Sequence, residues 1–163
     1  MQVPGRLVNT VGKTVSEVNR AYMAGLIDAD GAIIASIESH AEKKFKFRVR
    51  VIIKVTQKDQ DILIWLKETT QFGRVVKNRT VFDWILRYQR HALIFLEMIK
   101  PFIRGKTNQL ELALRILSTP VETYQDLISV AQLADTLASF NVRSKNRRKN
   151  YVSKIQETVS RND

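Results

Sequence analysis

Between Phe45 and Val55 apolar and polar residues alternate without a break, with Phe45, Phe47, Val49, Val51, Ile53 and Val55 on one side and Lys46, Arg48, Arg50, Ile52 and Lys54 on the other. A period of two is that of an extended strand, whose successive side chains point to opposite faces. The chain must therefore build a sheet with one apolar face, set against helices, and one cationic face. Half-exposed antiparallel sheets do carry lysines. Yet four like charges at every-other spacing on one pleat repel one another and need an anion. A polyphosphate meets that need.

The formal net charge is +11 for 163 residues, and it is concentrated. Lys43 to Lys54 holds six basic residues and no acid, and Arg143 to Lys149 holds five and none, which together account for the whole excess. Two such stretches point to nucleic acid. An acidic membrane surface is the weaker alternative, because neither stretch is an amphipathic helix. The chain has no cysteine, which excludes disulfides and thiolate zinc sites, and its two histidines, His40 and His91, are too few for a histidine cluster. No apolar run approaches a membrane span. Length and 44% apolar content suit one intracellular domain over residues 15–163, after an acid-poor flexible tail, residues 1–14.

Thr14-x-x-Glu17 has the form of a capping box, which predicts a helix from about Val15 to Ala29. After Gly31 the period changes to two over Ala32–Glu38, and Phe45–Val55 is the second strand. Lys58–Thr70 returns to helical spacing, with Ile62, Leu63, Trp65 and Leu66 as its buried stripe. Arg74–Asn78 and Val81–Arg87 read as a hairpin across Arg79-Thr80. Helices then follow over His91–Lys100, Thr107–Leu117, Glu122–Ser139 and Asn150–Val159. The order is α-β-β-α-β-β-α with further helices. Trp65 and Trp84 fall in phase with apolar neighbours and read as core, and His91 reads as a surface or cap residue.

The first helix ends in Asp28-Ala29-Asp30-Gly31, placing two carboxylates at the negative end of the helix dipole, where each is unfavourable by about 0.3–1 kcal/mol when exposed. Either the aspartates are solvated around a left-handed Gly31 cap, or a cation, basic or metallic, stands nearby. Met23 to Gly31 reads MAGLIDADG. This resembles the LAGLIDADG homing endonuclease motif at every position except the first, where Met23 replaces leucine.

With the element order, the chain resembles the single-motif, homodimeric branch of that family over roughly residues 15–155. The resemblance implies an α+β fold of αββαββα type, a saddle of antiparallel sheet packed against helices and lying along the DNA major groove, with additional C-terminal helices. It implies a homodimer whose motif helices meet through Ala21, Ala24, Gly25 and Asp28. Asp30 would bind a divalent metal, with the Ala29 carbonyl as the backbone part of the site. Gln57 would help to position water, and Lys106 would approach the scissile phosphate. A family arginine falls on Asp61, a departure that alters the charge balance beside the site.

The implied activity is site-specific double-strand cleavage of a long pseudo-palindromic DNA target by metal-dependent phosphodiester hydrolysis, as in intron or intein homing. Mg2+ would serve, Mn2+ could substitute, and Ca2+ would support binding without cleavage. Carboxylate-held Mg2+ neutralises charge on the attacking and leaving oxygens without histidine or cysteine, and this chain has little of either. Base edges in the major groove would be read from Ser36, Glu38, His40, Lys46, Arg48, Arg50, Lys54, Arg74, Asn78, Asp83 and Arg87. Arg143, Lys145, Arg147, Arg148 and Lys149 would hold the phosphate backbone. The alternative is an RNA maturase, or a DNA-binding protein that does not cut, on the same scaffold.

Overall fold

The computed structural model describes residues 15–141 and 150–161. The expected tail, with Thr14, and the whole basic run from Arg143 to Lys149 lie outside the described residues. Two compact units are formed, one from residues 15–32 and 53–107, the other from residues 33–52, 108–141 and 150–161.

The first unit begins with α1 (Glu17–Asp30). Its N-cap is Ser16, whose hydroxyl accepts the Asn19 N–H at 3.2 Å, so helix entry is set two residues later than the Thr14 box implies. Met23, Ala24 and Ile27 form its inner face. The helix passes into β1 (Gly31–Ser39) with no intervening turn. Gly31 is extended, at φ −86° and ψ 163°, and is not a left-handed cap. A glycine is needed there for space, since a Cβ would lie 2.7 Å from Ile27 Cα and 2.9 Å from the Ile27 carbonyl oxygen.

The C-terminal half of β2 (Phe47–Gln57), then α2 (Asp61–Thr70), β3 (Arg74–Asn78), β4 (Val81–Leu86) and α3 (Gln89–Ile99) complete this unit, with a 3-10 turn over Lys100–Phe102. β4 is antiparallel to both β2 and β3, Val55 facing Trp84 and Thr56 facing Asp83 across the first pair. Trp84 is fully buried, donates its indole N–H to the Phe72 carbonyl at 3.0 Å and packs on Phe95, so it is core as expected. Gly73, at φ +74°, passes so close beneath the indole that a Cβ would fall 2.6 Å from its nitrogen. Trp65 is half-buried, with Tyr22 edge-on to it at 5.2 Å.

The second unit holds most of β1, the first half of β2, α4 (Thr107–Ser118), α5 (Tyr124–Asn141) and α6 (Tyr151–Ser160). Asn141 donates from its side-chain amide to the Ile33 carbonyl at 2.7 Å, and the Tyr151 hydroxyl to the Ala35 carbonyl at 3.1 Å, which ties helices to β1. Asp135 accepts the first amides of α6, from Tyr151 and Val152, and supplies the negative charge that a helix N-terminus favours. β2 begins at Phe47, so Phe45 and Lys46 belong to the turn before it, with Lys46 in the left-handed region at φ 62°.

The sheet order is β1-β2-β4-β3 and the sheet is antiparallel, giving the α+β class and the αββαββα order expected, followed among the described residues by α4, α5 and α6. None of the described helices is long and apolar enough to cross a membrane.

Candidate active site and nucleic-acid face

The last turn of α1 carries both aspartates, and the structure gives them different work. Asp30 is exposed, and one of its oxygens accepts the Gln57 side-chain amide at 2.8 Å from the end of β2. Asp28 is half-buried and spends its carboxylate on its own chain, accepting the backbone N–H of Arg104 at 2.8 Å and that of Lys106 at 3.0 Å. The Lys106 ammonium in turn donates to the Asp28 carbonyl at 2.5 Å. This ammonium brings a positive charge to the negative end of the helix from 78 residues downstream, with no basic residue in the last turn itself. The elements thus bring Asp30, Gln57 and Lys106 to one helix end.

The cationic face of β2 carries its own anions. In the second unit, Glu38 Oε2 accepts from Arg48 at 2.9–3.0 Å and lies 3.5 Å from Arg50 Nε. Glu38 is therefore a holder of arginines, not an unoccupied acceptor for a base. In the first unit, Asp83 is 2% exposed and accepts from Thr56 at 2.5 Å, Asn78 at 2.8 Å and Lys54 at 3.0 Å. Burial raises its pKa, but the hydrogen bonds from Thr56, Lys54 and Asn78 outweigh this, and the carboxyl lies below its ordinary value of 3.8. Asp83 is thus corrected from base reader to buried organiser: its neighbours cover it. Its carboxylate can only accept, so Asn78 must turn its NH2 inward and present its carbonyl oxygen outward.

Other expected readers divide by position. Ser36 is half-buried on β1, and Arg74 and Arg87 are exposed on the hairpin. His40 and Lys46 lie in the β1–β2 turn, which the His40 N–H closes by donating to the Lys46 carbonyl at 2.8 Å, while Lys46 Nζ donates to the Ala41 carbonyl. They are turn residues and not strand positions, because β1 ends at Ser39 and β2 starts at Phe47. His91 is half-buried, its ring stacked on Phe72 and met edge-on by Tyr88, and burial followed by the charge of Arg90 lowers its pKa.

The model of the LAGLIDADG endonuclease family matches residues 23–110, which begin at the motif and end in α4. The sequence is 33% identical over 125 residues to DNA endonuclease I-CreI of Chlamydomonas reinhardtii, covering 74% of this chain and 77% of that one. This chain belongs to the LAGLIDADG endonuclease family. DNA endonuclease I-CvuI of Chlorella vulgaris is 31% identical over 120 residues, covering 71% and 74% of the two chains. The structure of I-CvuI in complex with its target in the presence of calcium superposes with a TM-score of 0.79 at 27% identity, over 89% of this chain and 94% of that one.

The LAGLIDADG helix divides its own motif residues between two faces. Ala24, expected at a subunit interface, is completely buried within its own chain, and Asp28 is committed to Arg104 and Lys106. Helical geometry sends Ala24 inward with Met23 and Ile27. Gly25 and Ala21 lie on the outer face, which continues through Val18 at 78% exposure, Tyr22 at 55% and the exposed Ala29. Sequence reasoning missed Val18 and Tyr22 as members of this exposed face and Thr56 as a partner of Asp83. For the first two the signal was available, because positions 18, 21, 22, 25 and 29 form a single helical stripe.

Proposed function

We propose that this LAGLIDADG endonuclease is a site-specific nuclease for double-stranded DNA that acts as a homodimer with Mg2+ on a long pseudo-palindromic target. The observation that carries the reading is the contrast at the end of α1, where Asp28 is consumed by backbone contacts and Asp30 is left exposed beside Gln57. A hard oxygen donor of this kind suits Mg2+. Asp30 and the Ala29 carbonyl would hold the ion, which when bound neutralises charge on the attacking and leaving oxygens. Gln57 donates to Asp30 and keeps its own carbonyl oxygen for a water. Lys106 supplies a positive charge for a phosphate oxygen.

Asp28 is spent on the Arg104 and Lys106 amides, so one protomer brings Asp30 as a single carboxylate to the site. Two-fold pairing supplies a second. The outer face of α1 suits that pairing: it is apolar or small at Val18, Ala21, Tyr22, Gly25 and Ala29, and no atom of the chain lies within 4 Å of a Cβ built at Gly25. Arg48 and Arg50, held by Glu38, and Lys54 and Asn78, held by Asp83, are assigned to base edges, with the Arg143-to-Lys149 run assigned to phosphates. I-CvuI is itself described in complex with a DNA target, which supports the choice of substrate.

Selection from a random duplex library with Mg2+ tests the proposal. Recovery of one pseudo-palindromic cut site supports it. Sequence-independent cutting, or a recovered site without two-fold symmetry, would contradict specificity or the homodimer respectively.

A further inference from the structure

We infer that Asp28 is the positioning residue for Lys106, holding the Arg104–Lys106 loop so that the ammonium is delivered to the reacting phosphate. The inference rests on the proposed role of Lys106. A carboxylate that merely ended its own helix would face solvent or its own last turn. Asp28 instead divides its two oxygens between two N–H groups of a segment 76 and 78 residues away, Oδ2 to Arg104 and Oδ1 to Lys106. Between them Gly105 lies close over the carboxylate, since a Cβ there would stand 3.5 Å from Asp28 Oδ1.

The loop therefore has its backbone fixed at the Lys106 N–H, and the Lys106 side chain then returns to the Asp28 carbonyl at 2.5 Å. Both ends of the lysine are registered against one residue. That residue is two positions from Asp30, so metal ligand and ammonium share a single rigid helix end. Such rigidity matters, because displacing a catalytic group by about 1 Å can cost roughly 100-fold in rate.

Asp28→Asn keeps the size but replaces one acceptor by an NH2 group facing a backbone N–H, donor against donor. The expected result is single-turnover cleavage slowed roughly 10- to 100-fold, with DNA affinity in Ca2+ within about twofold of the parent. Because Asp28 acts through Lys106, the double variant Asp28→Asn with Lys106→Ala should be no slower than Lys106→Ala alone. Losses that multiply would overturn the inference, as would parental cutting by Asp28→Asn beside a slow Lys106→Ala. Parental cutting by Lys106→Ala would instead show that the underlying assignment of the lysine is wrong. Amide hydrogen exchange on the unmodified protein gives a readout that does not depend on the variant folding. The Arg104 and Lys106 amides, in an otherwise exposed loop, should be strongly protected, and rapid exchange at both would overturn the clasp.

Discussion

A leucine in place of Gly25 separates assembly from folding. Gly25 sits in the middle of α1, is exposed, and has no atom of its own chain within 4 Å of a built Cβ, so the protomer has room for the larger side chain. Within the protomer the change removes a helical glycine, which stabilises by about 0.5–1 kcal/mol. At the proposed two-fold contact between motif helices the same bulk would appear twice. Overpacking of that contact costs about 1–3 kcal/mol, which raises the dimer dissociation constant roughly fivefold to 150-fold. The two effects have opposite signs. Sedimentation without DNA should show the weakened dimer, and thermal melting at concentrations where both proteins are monomeric should show the stabilised fold. A dimer of unchanged stability would place the interface elsewhere, and a destabilised monomer would refute the assignment of Gly25 to an open face.

Asp83→Ala leaves Lys54, Thr56 and Asn78 without their acceptor; Lys54 is a third exposed and can turn to water, so the expected loss is about 1–3 kcal/mol by urea unfolding. Because the folded Asp83 pKa lies below 3.8, its contribution is fully present above the unfolded pKa and is lost as pH falls through the folded value. The unfolding free energy of the parent should therefore drop below about pH 4 more steeply than that of Asp83→Ala. Gly31→Ala forces a Cβ onto the Ile27 backbone at 2.7 Å and should cost about 1–3 kcal/mol, read as a lower melting temperature. Arg48→Ala should relax discrimination at individual base pairs by roughly 1–3 kcal/mol, measured as cleavage across single-base variants of the target. Uniform weakening at every variant would make it a phosphate contact.

Much of this fold was legible because it depends on local period. The alternation of β2, the helical stripes and the Gly31 junction each require only a few neighbouring residues to be read, and their element order survives in the structure. The cationic sheet was only partly legible. Charge repulsion along Lys46, Arg48, Arg50 and Lys54 implied an outside anion, yet Glu38 and Asp83 supply two from within. Which carboxylate meets which cation depends on register, here Thr56 opposite Asp83, and no period encodes it. At the motif, Asp28 and Asp30 look equivalent as letters. They differ because the loop at Arg104–Lys106 returns to one of them, a contact over 76 and 78 residues that the chain settles only on folding. The separation of Ala24 from Gly25 was readable, since adjacent helical residues point about 100° apart.

Asp30 is proposed to hold the metal that supports phosphodiester hydrolysis, and Asp30→Asn removes that ligand's charge alone. Asparagine keeps the size and can still meet Gln57, but carries no charge. A cleavage time course in Mg2+ is to be run beside a gel-shift titration in Ca2+ or EDTA on the selected target. The expected result is no cleavage by a folded dimer, with DNA binding in EDTA retained or strengthened, because two anions per dimer would no longer face the phosphates. Cleavage at the parental rate would contradict the metal assignment and the mechanism built on it, and loss of binding together with cleavage would make Asp30 a structural residue.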